Sequence, residues 1–343
     1  MAAQLTARIS PEVACVGAVE SDAVVPLHSF KRSGFGPFAT SRDLRTWLLG
    51  NASRFDAIIA HSIWLSPTRY AALAARRAGI PFFLVPHGML DPDALAHHAF
   101  RKWLRWNTGE RRVLMDSTLV FSTSEDAKRG LKHAQLSNVQ HMIVPNALDT
   151  TAPAINREPD DPPLILCLNR LHPRKGALEL ANALRKLAQG GLSFNAVFAG
   201  PEEDQDYASR CKRVLSGLGD RVSFLGNQSS TEVQSLLSRA AMLIHPCVGF
   251  ENFGMVIVEG IQAGVPVIAS RRALVTPELE SASAVIAVEP EAEQLASAIP
   301  KVLCGVGPNS NTARNYISKH FSLAAVGIRW RQAIESHTAI ASE

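Results

Sequence analysis

The chain has 343 residues, 46% of them hydrophobic and 19% charged, with a formal net charge of +4. That length and composition suit about two folded domains, each with a sizeable core. The basic excess is too small for a dedicated nucleic-acid binder, and no apolar run reaches the roughly 18 residues of a membrane-spanning helix.

The opening, MAAQLTARIS, has no long apolar stretch and does not read as a secretory signal. Cys15, Cys167, Cys211, Cys247 and Cys304 are scattered, with no pair at metal-ligand spacing. An odd, dispersed set predicts reduced thiols and a cytoplasmic protein. Apolar runs at 57–61, 82–86, 119–122 and 142–145 predict a first series of strands. A second series is predicted at 164–168, 196–199, 222–225, 242–245, 265–269 and 285–288. Helical periodicity falls between them, at 66–78, 92–106, 176–188, 207–218, 253–263 and 291–303. Near-continuous apolar strands alternating with helices imply an α/β chain with parallel sheets covered on both faces. The Pro- and Asp-rich stretch TTAPAINREPDDPP separates the two series. The predicted organisation is therefore a domain over 1–150, a linker over 151–163, a second domain over 164–308 and a helical tail over 309–343. That tail reads as two helices with a break near Phe321 and Ser322.

Two segments of the second half carry chemistry. NRLHPRKG sets Arg170 five positions before Lys175, after a buried strand, where open α/β sheets bind ligands. Alone, the pair reads more readily as two solvated cations beside a turn, and the Glu pair of the next segment reverses that preference. ENFGMVIVE sets Glu251 in a loop and Glu259 inside an apolar helix, with Gly254 near that helix's start. A helix N-terminus suits a phosphate group, and glycine permits its close approach. A carboxylate among Val258 and Ile261 needs a partner.

In the first half, His87 ends a buried strand. Asp91-Pro92-Asp93 reads as a helix start, with Asp91 as N-cap, rather than as a metal motif. His97 and His98 are adjacent, so they face different sides and form no ligand pair. RKWLRWNTGERR gathers Arg101, Lys102, Arg105, Arg111 and Arg112 around Trp103 and Trp106. Basic residues interleaved with Trp suit an anionic membrane surface. The competing reading, a solvated helix with Trp in the core, is slightly preferred.

Together these segments resemble the retaining glycosyltransferases of family 4, over roughly residues 41–321. The resemblance implies a GT-B fold, two Rossmann-like domains facing a cleft, with the tail crossing back onto the first. It implies transfer of a hexose from a UDP- or GDP-sugar to a saccharide or lipid-linked acceptor in polysaccharide or glycoconjugate synthesis, without metal or cofactor. On it, Arg170 and Lys175 hold the diphosphate, Glu251 and His87 orient the sugar, and Glu259 holds the ribose. Asn252, Phe253 and Gly254 contact the donor, and Asn146 is a further candidate. A peripheral contact at the inner membrane face falls to residues 101–112. Rival expectations are a catalytically impaired nucleotide-sugar-binding relative, a truncated fragment, and a nucleotide-sugar epimerase of the same fold.

Three departures from the family stand out. The first domain is expected to lack its first βα unit, which would expose sheet edges and lower solubility or activity. Asn169 stands where a small residue is usual. Gly260 replaces a usual Ala, and by helix propensity alone would weaken its helix by up to ~1 kcal/mol.

Overall fold

A computed structural model describes residues 9–17, 25–151 and 155–338. The chain divides into two compact units. One is Leu148–Ser322; the other joins the chain up to Ala147 with the chain from Leu323 onward.

The first unit contains β1 (Val13–Val16), β2 (Leu27–Phe30), β3 (Ile58–His61), β4 (Phe82–Val85), β5 (Leu119–Ser122) and β6 (His141–Ile143). Among the described residues these make two parallel sheets, the pair β1–β2 and a sheet ordered β3-β4-β5-β6. β1 (VACV) and β2 (LHSF) are four residues each and are not among the predicted strands. β4 is apolar throughout and β5 is apolar but for Ser122, because both faces are covered. Leu84 and Val120 enter one core cluster, Phe83 and Phe121 the other. The helix Leu323–Glu335 supplies the second face, where Trp330 lies against Phe121 with ring centroids 4.1 Å apart. The helix Ser66–Ala78 starts with Pro near its N-terminus and ends at Gly79, whose φ of 70° suits only glycine well.

The single helix predicted over 92–106 is broken. Pro92–Ala96 is capped by Asp91, and His98 then turns left-handed with φ 55° before a new helix, Ala99–Arg105. A π-turn over Trp106–Glu110 follows, and then Arg111–Met115. The break brings the His97 and His98 rings to 4.2 Å, correcting the expectation that they face apart. The turn follows from Glu110, which is buried and draws Arg69 and Arg105 onto it.

The second unit contains β7 (Leu164–Leu168), β8 (Asn195–Ala199), β9 (Val222–Gly226), β10 (Ala240–His245), β11 (Val267–Ser270) and β12 (Ile286–Val288). They form a parallel sheet ordered β12-β11-β10-β7-β8-β9. Ile165 and Cys167 face one cluster and Leu166 the other, the alternation of a strand buried on both sides. Part of the predicted linker is tied to this unit. Asp160 pairs with Arg239 at 2.7 Å, and Arg157 donates to the Gly264 carbonyl at 2.8 Å. Residues 152–154 of that linker lie outside the described residues.

Gly260 corrects its sequence reading. A Cβ there would stand 2.4 Å from Leu243 Cδ2 and 3.1 Å from Val267 Cγ2. Both side chains are fully packed core, on β10 and β11. Glycine lets the helix Met255–Gln262 lie close against the sheet. Gly260→Ala is therefore expected to destabilise the unit by about 1–3 kcal/mol through overpacking. Urea denaturation checks the sign. A stabilised variant would restore the propensity argument.

Candidate functional site

The strand order places β7 and β10 side by side, with β8 and β9 beyond one and β11 and β12 beyond the other. Chain connections diverge there, which opens a crevice beyond the carboxyl ends of the two strands. The NRLHPRKG loop leaves β7 and the loop to ENFGMVIVE leaves β10. They are stitched together by backbone. The Arg174 carbonyl accepts from the Val248 amide at 3.1 Å and the Gly249 amide at 3.0 Å. Gly176 lies so close to Pro246 that a Cβ would meet its carbonyl oxygen at 1.9 Å, and its φ is +72°. Glu251 is fixed from the far side, its carbonyl accepting from Leu274 N at 3.1 Å.

That stitching brings Lys175 and Glu251 together. The Lys175 ammonium donates to Glu251 Oε2, and both side chains are mostly buried. Arg170 is more exposed and turns to Glu203 at 2.6 Å. Each cation of the motif thus already has a carboxylate partner. Arg170 also borders a pocket of about 210 Å³, with Asn169, Gly200, Asn227 and Gln228 around it. Asn252 and Phe253 complete the loop, half-buried and buried. Gly254 caps the helix Met255–Gln262 in the left-handed region, φ 86°, so the first amides of that helix lie beside the loop. Glu259, half-buried in the second turn, has its carboxyl held above the ordinary range by burial.

The sequence reading missed His245, which ends β10. It is 1% exposed, receives a hydrogen bond at Nδ1 from Asn169 (3.2 Å) and sits 3.8 Å from Glu251 Oε2. Burial pushes its imidazole down to about 4, against the smaller opposing effect of Glu251. Its signal was available, since a His closing an apolar strand stands at the ligand-facing end of a parallel sheet.

His87 and Asn146 belong to the first unit. Asn146 follows β6, half-buried. His87, with φ 51°, follows β4 and meets His61 at the end of β3, Nε2 to Nδ1 at 2.9 Å. A bulky residue held at positive φ is strained, and such residues gather at functional sites. Burial first, then the neighbouring His87, lowers His61 to about 4, and burial lowers His87. Both rings are therefore neutral at neutral pH. His61 is a second residue the sequence reading passed over.

The structure corrects the preference for Trp in the core at Trp103 and bears it out at Trp106. Phe100, Trp103 and Leu104, one face at i, i+3 and i+4, are 75%, 59% and 50% exposed. Trp106 alone turns inward, toward Trp64. Arg101, Arg111 and Arg112 are exposed, whereas Arg105 is turned in to Glu110. Among the described residues no helix is long and apolar enough to cross a membrane.

Comparison with known proteins follows the two units. A family model described as "Glycosyl transferases group 1" matches residues 149–319, and one described as "Glycosyl transferase 4-like domain" matches residues 3–147. A GDP-mannose-dependent alpha-(1-6)-phosphatidylinositol monomannoside mannosyltransferase of Mycobacterium tuberculosis is 33% identical over 117 residues, 31% of this chain and 29% of that protein. A phosphatidyl-myo-inositol mannosyltransferase of Mycolicibacterium smegmatis is 29% identical over 37% of this chain and 33% of its own length. The chain thus matches about a third of the length of these curated relatives. HepE of Anabaena, solved with UDP, superposes with a TM-score of 0.73 at 20% identity, over 91% of this chain and 86% of that one. Sucrose-phosphate synthase of Thermosynechococcus elongatus gives 0.71 at 18% identity, over 95% and 86%. At such identities these structures establish a shared GT-B fold.

Proposed function

This chain belongs to the family 4 glycosyl transferases, and on that premise we propose that it moves a hexosyl group, with retention, from a nucleoside-diphosphate sugar to a saccharide or lipid-linked acceptor. The observation that carries the reading is the Lys175–Glu251 pair, held where the loops after β7 and β10 are stitched beside a helix start. Lys175 and Arg170 would neutralise the diphosphate as it leaves, in a site where fixed charges need no reorganisation. Glu251 would accept from sugar hydroxyls, with His87 as a second sugar contact and Glu259 on the ribose. The departing phosphate would take the acceptor's proton on the face it leaves. Catalysis then rests on positioning and electrostatics, without a covalent enzyme intermediate. Asn252, Phe253, Gly254 and Asn146 would line the donor.

A panel of UDP- and GDP-sugars, screened by thermal shift and then by transfer to saccharide and lipid-linked acceptors, tests this. The expected result is a raised melting temperature with one donor class and an acceptor-dependent product. Binding without transfer to any acceptor would instead mark a non-catalytic relative. A changed sugar nucleotide formed without acceptor would mark an epimerase.

Glu259 gives a separate check. A carboxyl raised in the folded state holds its proton over a window where the unfolded chain has lost it. Stability therefore falls as pH rises from the ordinary Glu value through the raised one, and stays lower above it. Glu259→Gln removes that charge. At pH 7 it is expected to raise the melting temperature by roughly 1–3 °C, while weakening nucleoside-diphosphate binding about 10-fold. Calorimetry on the same samples reads both.

The membrane contact we assign to residues 99–112. Three exposed apolar side chains flanked by Arg101, Arg111 and Arg112 combine insertion with attraction to anionic headgroups. Co-sedimentation is expected with phosphatidylglycerol vesicles but not phosphatidylcholine ones, and to weaken with salt. The double variant Phe100→Ser, Trp103→Ser should lose at least about 10-fold in partitioning. Equal binding of this variant and the parent would remove the assignment.

A further inference from the structure

His245 has two ring nitrogens in two different settings. Nδ1 lies 3.2 Å from the Asn169 side-chain nitrogen, a donor. Nε2 is buried and makes no hydrogen bond. It lies 3.8 Å from Glu251 Oε2, too long for a hydrogen bond and close enough that a small shift of the carboxylate would form one. A ring that is neutral at neutral pH carries one proton. Because an amide N–H already fills the Nδ1 lone pair, that proton sits on Nε2 and faces Glu251. Glu251 meanwhile accepts from Lys175. Asn169, the residue that departs from the family's small side chain, is thus what sets the histidine's tautomer.

This inference rests on the donor reading above, in which the diphosphate draws Lys175 to itself. Glu251 then loses its cation and must still hold the geometry needed to accept from a sugar. We infer that Asn169 and His245 are positioning residues for Glu251: the amide fixes the imidazole as the Nε2–H form, and that N–H takes over the carboxylate when the donor claims Lys175. The pair makes no contact with the reacting atoms in this scheme. The two residues are 76 positions apart and meet because β7 and β10 are neighbours.

The test uses the full chain labelled with 15N-histidine, with His245→Gln to assign the signal. The expected spectrum has His245 as the Nε2–H tautomer. Saturating UDP should move the Nε2 proton downfield, and should not do so in Glu251→Ala. An Nδ1–H tautomer, or no movement with UDP bound, overturns the inference. Kinetics supply a second arm. His245→Leu keeps the apolar burial and removes the donor, and is expected to lower kcat/KM by about 10- to 100-fold, the worth of a hydrogen bond to a charged group. His245→Gln offers an N–H near the same place and should recover most of that loss. Equal activity of the Leu and Gln variants also overturns it. If the parent chain transfers no sugar at all, the donor reading fails while the tautomer measurement still stands by itself.

Discussion

Lys175→Ala is expected to lower the turnover number of sugar transfer by roughly 10²- to 10³-fold, with a smaller change in KM. The ammonium is mostly buried, and its stem rises from a three-residue turn, Pro173–Lys175, that ends at Gly176. Gly176 presses on Pro246, and the neighbouring carbonyl of Arg174 holds the partner loop. The charge is therefore aimed before any ligand arrives. A fixed cation acts most strongly on the charge that develops as the diphosphate leaves, so the loss falls on kcat. Glu251 would also be left half-buried without its cation, which adds to the defect. Lys175→Arg should restore only part of the rate, because a planar fork on a different stem cannot reproduce a point charge. Steady-state kinetics with the preferred donor give the comparison. A loss below about 10-fold would sink the assignment of Lys175 to the diphosphate.

Glu110→Ala is expected to destabilise the first unit by about 3–5 kcal/mol. Glu110 is 1% exposed, and its carboxylate serves two guanidiniums, Arg69 and Arg105. Arg69 also donates to the Arg105 carbonyl at 2.8 Å, and the Arg105 guanidinium lies 4.6 Å from the Phe38 ring centroid. Removing the carboxylate leaves two largely buried cations facing each other across the turn. The same cluster holds the π-turn over Trp106–Glu110 against the helix Ser66–Ala78. Loss of Glu110 should therefore also weaken binding to anionic vesicles, although no apolar contact residue has changed. Chemical denaturation followed by Trp fluorescence measures the stability, and co-sedimentation the consequence. Glu110→Gln should fall between, since the amide can still accept from one guanidinium.

Several elements could be read directly from residue order. The strands Leu119–Ser122 and Leu164–Leu168 and the helix Ser66–Ala78 stand where periodicity and turn residues put them. Other strands differ by one or two residues at their ends, where hydrogen bonding rather than composition draws the boundary. The helix Ser230–Arg239 was passed over although Ser229 and Glu232 form a capping box, because its apolar face is narrow. Tyr207 and Cys211 show how a weakly apolar helix still docks: both are core residues of Gln205–Leu215. The predicted helix over 92–106 failed for a different reason. Its periodicity is helical, but the backbone leaves the helix at His97 and turns left-handed at His98, a change of local conformation that apolar spacing does not encode.

The sequence by itself determined the alternation of strands and helices, the two-unit organisation and the residue types available for phosphate and hydroxyl groups. Those are local properties, set by burial period, turn chemistry and short motifs. Only the tertiary structure decided that Lys175 meets Glu251 while Arg170 meets Glu203, that Asn169 meets His245, that His61 joins His87, and that Trp103 faces outward. It also decided that Gly260 is a packing requirement rather than a weak point. The physical reason is common to all of these. Partners far apart in the chain meet through the order of parallel strands and the approach of helices to them, and residue spacing alone does not encode that order.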